Sequence, residues 1–168
     1  MKKQQIIFST IKSPIGEIIV TSDEQGIASI YSPTRETITT LLENAKRDDE
    51  KLCDATDQLR AYFAGDLHEF SLTLNPQGTT FFKQVWKQLE AIPYGTTISY
   101  GELSMQIGKP TASRAVGMAN GKNPISFVVP CHRVIGQNGS LTGYGGGLKL
   151  KRGLIEFEEG HLAVVGVN

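Results

Sequence analysis

The turn-rich stretch Asn75-Pro76-Gln77-Gly78 constrains this chain more than any other. Proline removes a backbone donor and fixes one dihedral, and glycine opens conformations closed to other residues, so neither helix nor strand runs through it. On either side the hydrophobic pattern differs. Before the break, apolar and β-branched residues come in short runs; after it they recur at helical spacing. The 168-residue chain therefore reads as two small units of mixed α/β (α+β) structure, 1–75 and 79–168.

In the first unit, Gln5 to Ile11, Glu17 to Thr21 and Ile27 to Tyr31 read as short strands. Ser13-Pro14-Ile15-Gly16 and Ser22-Asp23-Glu24-Gln25-Gly26 supply the turns of an antiparallel meander. Thr34 caps a helix predicted from Arg35 to Lys46, with Ile38, Leu41 and Leu42 on one face. A second helix spans Cys53 to Ala64 and stops at Gly65. Phe70 to Leu74 returns to strand. Cys53 reads as structural, since no histidine or basic residue adjoins it.

In the second unit, Thr79 or Thr80 caps a helix whose Phe82, Val85, Trp86 and Leu89 share a face and which ends before Pro93. Two short helices follow, from Ser99 or Tyr100 to Ile107 and from Ala112 to Asn120, the latter capped by Thr111. A break at Gly108-Lys109-Pro110 separates them, the pattern of a helix-turn-helix. The second is rich in small residues, among them Ala115, Gly117 and Ala119. Phe127 to Ile135 reads as two short strands flanking Pro130. A glycine-rich loop, Thr142 to Gly147, leads into a last helix from Leu148 to Glu158, and His161 to Val165 reads as a terminal strand.

Composition narrows the function classes. No apolar run approaches the roughly 20 residues needed to span a membrane, and Met1-Lys2-Lys3 opens no secretion signal. The two cysteines, Cys53 and Cys131, lie far apart, which fits a reducing cytoplasm without a disulfide. Formal charge is zero overall, yet Tyr100 to Arg152 holds seven basic residues (Lys109, Arg114, Lys122, Arg133, Lys149, Lys151, Arg152) against Glu102 alone. Such a local field attracts polyanions, nucleic acid first; a solvated basic surface gives the same pattern. One Cys-His pair, with His68 and His161 remote, provides no zinc spacing, so no metal and no cofactor are expected.

The chemistry centres on Pro130-Cys131-His132-Arg133. A thiol acts as a nucleophile in its thiolate form, which nearby cationic or basic groups favour. A buried cysteine at a strand end reads equally well from this stretch alone.

With its flanks, the segment resembles the O6-alkylguanine-DNA alkyltransferases of the bacterial type. The resemblance rests on Pro130-Cys131-His132-Arg133-Val134-Ile135-Gly136; on Ile92-Pro93-Tyr94-Gly95-Thr96-Thr97-Ile98-Ser99-Tyr100-Gly101-Glu102-Leu103; on Ser113-Arg114-Ala115-Val116-Gly117; on Asn120-Gly121-Lys122-Asn123-Pro124; and on Gly143-Tyr144 with Gly146-Gly147-Leu148. In order, these cover nearly all of 81–158. The first 75 residues resemble the family in element order and in Ser13-Pro14-Ile15-Gly16.

The resemblance implies an RNase H-like N-terminal domain and a C-terminal helix-turn-helix, winged-helix-like, DNA-binding domain. It implies a monomer that flips an O6-alkylated guanine out of double-stranded DNA and takes the alkyl group once, irreversibly, onto Cys131. Activity on O4-methylthymine is left open. His132 is implied as the base acting through water, with Glu158 orienting it. Tyr100 would assist flipping and protonate the departing base, and Arg114 would fill the gap in the duplex. Ser113, Ala115, Gly117 and Lys122 would contact DNA, with Ala119 another close-approach position. Asn123 is the implied hinge, and Val134, Tyr144 and Gly145 the base pocket, where the Cys131 and Val134 carbonyls accept from the guanine amine and the Gly145 amide faces O6. Arg133 is expected to hold structure. Some members, the human one among them, carry serine where this chain has Gly145.

Two rivals remain at this stage. A cysteine hydrolase using Cys131 and His132 would turn over repeatedly, and neighbouring residues of a strand point to opposite faces. A sensor that binds damaged DNA without transfer would lack Cys131.

Overall fold

The computed structural model describes residues 4–160; the strand expected at His161 to Val165 lies outside them. The chain forms two compact units, Met1–Gln77 and Gly78–Asn168.

In the first unit, β1 (Ile6–Ser13), β2 (Gly16–Asp23) and β3 (Gly26–Tyr31) form the antiparallel meander. Its turns are held locally: Ser13 Oγ donates to the Gly16 carbonyl at 2.7 Å, and the Asp23 carboxylate accepts from the Gln25 and Gly26 amides. Helix α1 (Arg35–Asn44) starts at Thr34, whose side chain forms a reciprocal cap with Thr37. It stops two residues before the expected end. The chain turns extended at Ala45 and forms β4 (Ala45–Arg47), parallel to β1, giving the sheet order β3-β2-β1-β4. Pairing β1's free edge satisfies backbone groups that another half-turn of helix would have left exposed.

Residues alternate across this sheet. Phe8 and Ile19 pack with Leu41 and Ile38 of α1 on one face, while Ile11, Ile18, Val20 and Ile30 are buried on the other. Helix α2 (Cys53–Phe63) packs against β1 through a buried side that includes Leu59 and Tyr62. Leu42, expected on the apolar face, is exposed on the outer side of α1, and Cys53, read as structural, is exposed at the start of α2. Phe70 to Leu74 makes a single bridge, Ile27 to Leu74, and no strand. That bridge brings the Thr73 carbonyl to within 2.6 Å of where a side chain on Gly26 would begin, so only glycine fits there.

The second unit is built on α3 (Thr80–Leu89), capped by Thr79. Short strand β5 (Ile98–Ser99) leads into α4 (Tyr100–Gln106), where Ser99 and Glu102 cap each other's backbone amides. Helix α5 (Ser113–Gly121) begins after Ala112 with no side-chain cap, so Thr111 does not serve that role. Helices α3, α4 and α5 pack on one another through buried Val85, Trp86, Leu103, Ile107, Val116 and Ala119. Ala119 therefore faces this core instead of an outer surface, and its carbonyl accepts from the Trp86 indole at 2.7 Å. The stretch before Pro130 forms turns, not a strand. Phe127 lies in the left-handed region at φ 70° with its ring buried, a cost of about 1–3 kcal/mol that the surrounding packing must outweigh. Cys131–Arg133 forms one 3-10 turn, followed by β6 (Val134–Ile135), parallel to β5, and by α6 (Leu148–Glu158).

The Trp86 indole bond couples α3 to α5 inside the core. Trp86→Phe lowers the unfolding free energy by about 2 kcal/mol through the lost bond and contact area, read by urea unfolding with far-ultraviolet circular dichroism. A loss below about 0.5 kcal/mol rejects that coupling.

Candidate active site

The reactive segment is positioned from both sides by asparagines. Asn123, just past α5, donates through Nδ2 to the Val129 carbonyl at 2.8 Å and accepts the Ile125 amide at 3.0 Å. Asn120, inside α5, donates through Nδ2 to the Cys131 carbonyl at 3.3 Å. The Val134 amide also donates to that carbonyl, so it already serves two donors. With Val134 paired to Ile98 across β5 and β6, the 3-10 turn is fixed at both ends. A 3-10 turn, not a strand, thus sets how Cys131, His132 and Arg133 project.

All three side chains are buried: Cys131 is 6% exposed, Arg133 5% and His132 0%. Glu158, at the end of α6, meets two of them. Its Oε1 lies 2.7 Å from His132 Nε2 and accepts from Arg133 Nη2 at 2.9 Å, while its Oε2 accepts from Arg133 Nε at 2.7 Å. Arg133 Nη1 donates to the Ile92 carbonyl at 2.7 Å, and its guanidinium lies 5.6 Å from the Tyr94 ring centre. Glu158 is therefore shared, and Arg133 holds it in two-pronged geometry. His132 Nδ1 is buried and makes no hydrogen bond to a protein group.

These contacts set the protonation states. Burial alone would raise the Glu158 carboxyl, but the His132 and Arg133 donors outweigh it and hold the group well below the usual carboxylate range. Burial pushes the His132 imidazole down and Glu158 counters this only in part, so the net effect favours the neutral ring. Burial pushes the Cys131 thiol up, while Asn123 and the charge of Lys151 pull it back. The resting site thus holds a thiol, a neutral imidazole and a carboxylate.

Lys151 was not singled out in the sequence. It is fully buried on α6, seven residues before Glu158, and its Nζ donates to the carbonyls of Thr142 at 3.1 Å and Gly143 at 3.4 Å. That Nζ also lies 5.7 Å from the centre of the Tyr100 ring, whose hydroxyl donates to the same Thr142 carbonyl at 3.1 Å. The signal was present in the helical period: Leu150, Lys151, Leu154 and Glu158 fall on one buried stripe, an anomalous place for charge. Arg133 and Lys151 are thus interior groups and leave the surface field counted earlier. Lys109, Arg114, Lys122, Lys149 and Arg152 remain exposed.

Around the turn the fold gathers Cys131, His132, Glu158, Asn123, Val134 and Tyr100. Tyr144 joins them: burial raises its phenol well above the ordinary value, and the charges of Cys131 and Glu158 act in the same direction. Gly145 has open space where a side chain would begin, so packing does not require glycine there. Arg114, Ala115 and Lys122 lie instead on the exposed stripe of α5, with Met118 and Gly121. Gly117 is half-buried beneath the Tyr100 ring, and Ser113 Oγ lies 3.4 Å from Ser104 Oγ. Among the described residues no cluster of three or more metal-binding side chains occurs, and no helix is long and apolar enough to cross a membrane.

Comparison with known proteins bears on both units. The ribonuclease-like domain of 6-O-methylguanine DNA methyltransferase matches residues 6–76, and the DNA binding domain of the same family matches residues 80–160. A methylated-DNA–protein-cysteine methyltransferase of Methanosarcina acetivorans is 46% identical over 151 residues, covering 90% of this chain and 97% of the relative. That of Mycobacterium tuberculosis is 48% identical over 160 residues, covering 92% and 93%. The crystal structure of Mycobacterium tuberculosis OGT in complex with DNA matches with a TM-score of 0.84 at 47% identity, covering 92% of this chain and 94% of that one. Over both of its units, the chain belongs to the 6-O-methylguanine DNA methyltransferase family.

Proposed function

We propose that this chain repairs duplex DNA by moving the alkyl group of an O6-alkylguanine onto Cys131 Sγ, once per chain. The observation that supports this best is the buried Cys131-His132 turn backed by the Glu158–Arg133 pair, in a chain of this family. A buried thiol cannot reach a base inside the stack, so the base must come out to it. The thiol passes its proton through water to His132 Nδ1, the ring nitrogen turned away from Glu158, and Glu158 stabilises the imidazolium that forms. Lys151 supplies positive charge beside the new thiolate. The S–C bond then forms as the C–O6 bond breaks. The electron pair stays with the base, which takes up one proton from the Tyr100 hydroxyl, and the phenolate regains one through solvent from the His132 imidazolium, so the thiol's lost proton and guanine's gained one balance. The thioether product has no leaving group, and the protein is consumed.

The remaining roles are those that the family resemblance implies, and the placement of the side chains supports them. Arg114, exposed in the first turn of α5, enters the duplex where the nucleotide leaves. Ser113, Ala115, Gly117 and Lys122 lie on or beside the surface that meets the minor groove and its phosphates. Asn123 is the hinge from that helix to the reactive turn. Val134, Tyr144 and Gly145 line the base pocket. The Cys131 carbonyl already holds two donors, so the Val134 carbonyl is the better seat for the guanine amine. The two units act as a supporting domain, 1–75, and a DNA-binding and transfer domain, 79–168. The protein works as a monomer in the cytoplasm, whose reducing conditions keep the thiol free.

Incubation with duplex DNA carrying O6-methylguanine, followed by intact-mass analysis, gives one added methyl per chain, and none in Cys131→Ser. Turnover beyond one equivalent, or no adduct, overturns the reading. Arg114→Ala slows repair in duplex DNA by about a hundredfold while changing reaction with a free alkylated base less than about threefold. Equal losses on both substrates remove its role in flipping.

The charge assignment has a thermodynamic test. In the unfolded chain His132 and Glu158 take up protons near 6.5 and 4.5; in the folded protein both do so at lower pH. Protons therefore favour the unfolded chain. Stability is full above pH 6.5 and falls with pH, first through His132 and then, below 4.5, through Glu158. Glu158→Gln starts about 3 kcal/mol less stable at neutral pH, because Arg133 loses its anion, and lacks the lower limb. Urea unfolding between about pH 3 and pH 8 reads both changes, and an unchanged lower limb rejects the assignment.

A further inference from the structure

Two side chains beside the reactive turn have unequal hydrogen-bond accounts. The Thr142 carbonyl accepts twice, from the Tyr100 hydroxyl at 3.1 Å and from Lys151 Nζ at 3.1 Å. The Oδ1 of Asn120 accepts from nothing, although Asn120 is only 4% exposed. Its amide cannot be turned round to mend this. Nδ2 donates to the Cys131 carbonyl at 3.3 Å, and a flip would set two oxygens against each other. A buried acceptor left this way calls for a donor.

The donor at hand is Tyr100. A side chain begun at Gly117 would stand 3.9 Å from both Cδ1 and Cε1 of the Tyr100 ring, so that ring lies along α5. Asn120 stands three residues farther on, one turn along the same helix, which is where i and i+3 side chains meet. Asn120 is among the side chains close enough to act on the Tyr100 hydroxyl. The hydroxyl has a single hydrogen, so it serves one acceptor at a time.

We propose that Asn120 is a positioning residue of the transfer site, whose Oδ1 takes the Tyr100 hydroxyl when that hydroxyl leaves Thr142. The exchange strands no group, because Lys151 still serves the Thr142 carbonyl. It detaches Tyr100 from the glycine-rich loop at 142–147 and ties it to α5. Through Nδ2 the same amide holds the carbonyl of Cys131, so phenol and thiol keep a fixed spacing as the base is seated, and the hydroxyl then turns its one hydrogen from Asn120 to the base for the transfer. This role rests on the transfer reaction proposed above and adds to it a residue that acts through Tyr100 and Cys131.

A double-mutant cycle tests it. Single-turnover rates on O6-methylguanine duplex are measured for the wild type, Asn120→Leu, Tyr100→Phe and the double variant, with Asn120→Ser replacing the leucine if that chain does not fold. Removing Asn120 slows adduct formation about tenfold when Tyr100 is present and about threefold when phenylalanine stands there, the residue of the effect being the Cys131 contact. A structural role alone moves both rates by the same factor, and that result overturns the assignment. A wild type that forms no adduct refutes the transfer reaction itself, whereas equal factors in a reactive wild type refute only the role of Asn120.

Discussion

The second unit depends on one buried carboxylate. Glu158 ends α6 with its side chain almost out of solvent, where an isolated charge would be very costly. Arg133 makes it tolerable by donating twice to the carboxylate and once to the Ile92 carbonyl, which joins α6, the reactive turn and the segment after α3. A pair of this kind contributes little net stability compared with apolar side chains of equal volume, but removing one partner leaves the other charge stranded. Its value here is geometric. With Arg133 neutralising it, Glu158 can hold the neutral His132 at 2.7 Å without drawing a proton onto the ring at rest.

That arrangement resolves a conflict in the needs of the thiol. A permanent thiolate would react with any small electrophile, whereas a fully protonated thiol would not attack an alkyl carbon. Burial favours the protonated Cys131 thiol, and in the proposed reaction α6 supplies the charges that let it ionise. Lys151 and Glu158 lie two turns apart on the same buried stripe, with Cys131 feeling the charge of the first and His132 touching the second. Moving a proton from Cys131 to His132 thus puts negative charge near Lys151 and positive charge beside Glu158. Both products of the proton transfer are matched by charges already in place, so the protein need not reorganise.

Sequence reading recovered features whose causes are local. The two β-turns, the Thr34 and Thr79 caps and the full span of α6 follow from residues within a few positions of one another. It failed where distant pairing decided. Ala45–Arg47 left the helix because β1 offered an edge, and Phe70 to Leu74 had only one bridge to make. The apolar run before Pro130 looked like a strand, but Asn123 and the left-handed Phe127 bend it into turns. Arg133 and Lys151 were counted as surface charge, since a linear count cannot see that one meets a carboxylate from 25 positions away and the other lies on a buried stripe. The candidate site residues named from the family pattern come as dense local motifs. Asn120 stood in those same motifs without a role and Lys151 only in the count of basic residues, for their contacts exist only in the fold.

Helix α5 shows why small residues near a nucleophile are ambiguous in sequence. Ala119 is buried and passes its carbonyl to Trp86, whereas Ala115 and Gly121 are exposed between Arg114 and Lys122. The same composition therefore serves close packing on one side and a low, cationic outer stripe on the other. Because Asn120 lies on the inner side and holds the Cys131 carbonyl, the helix proposed to meet DNA also carries a strut of the reactive turn. A rigid helix cannot shift its outer stripe without shifting that strut. In the proposed reaction, recognition and reactivity would thus be linked through the backbone of α5.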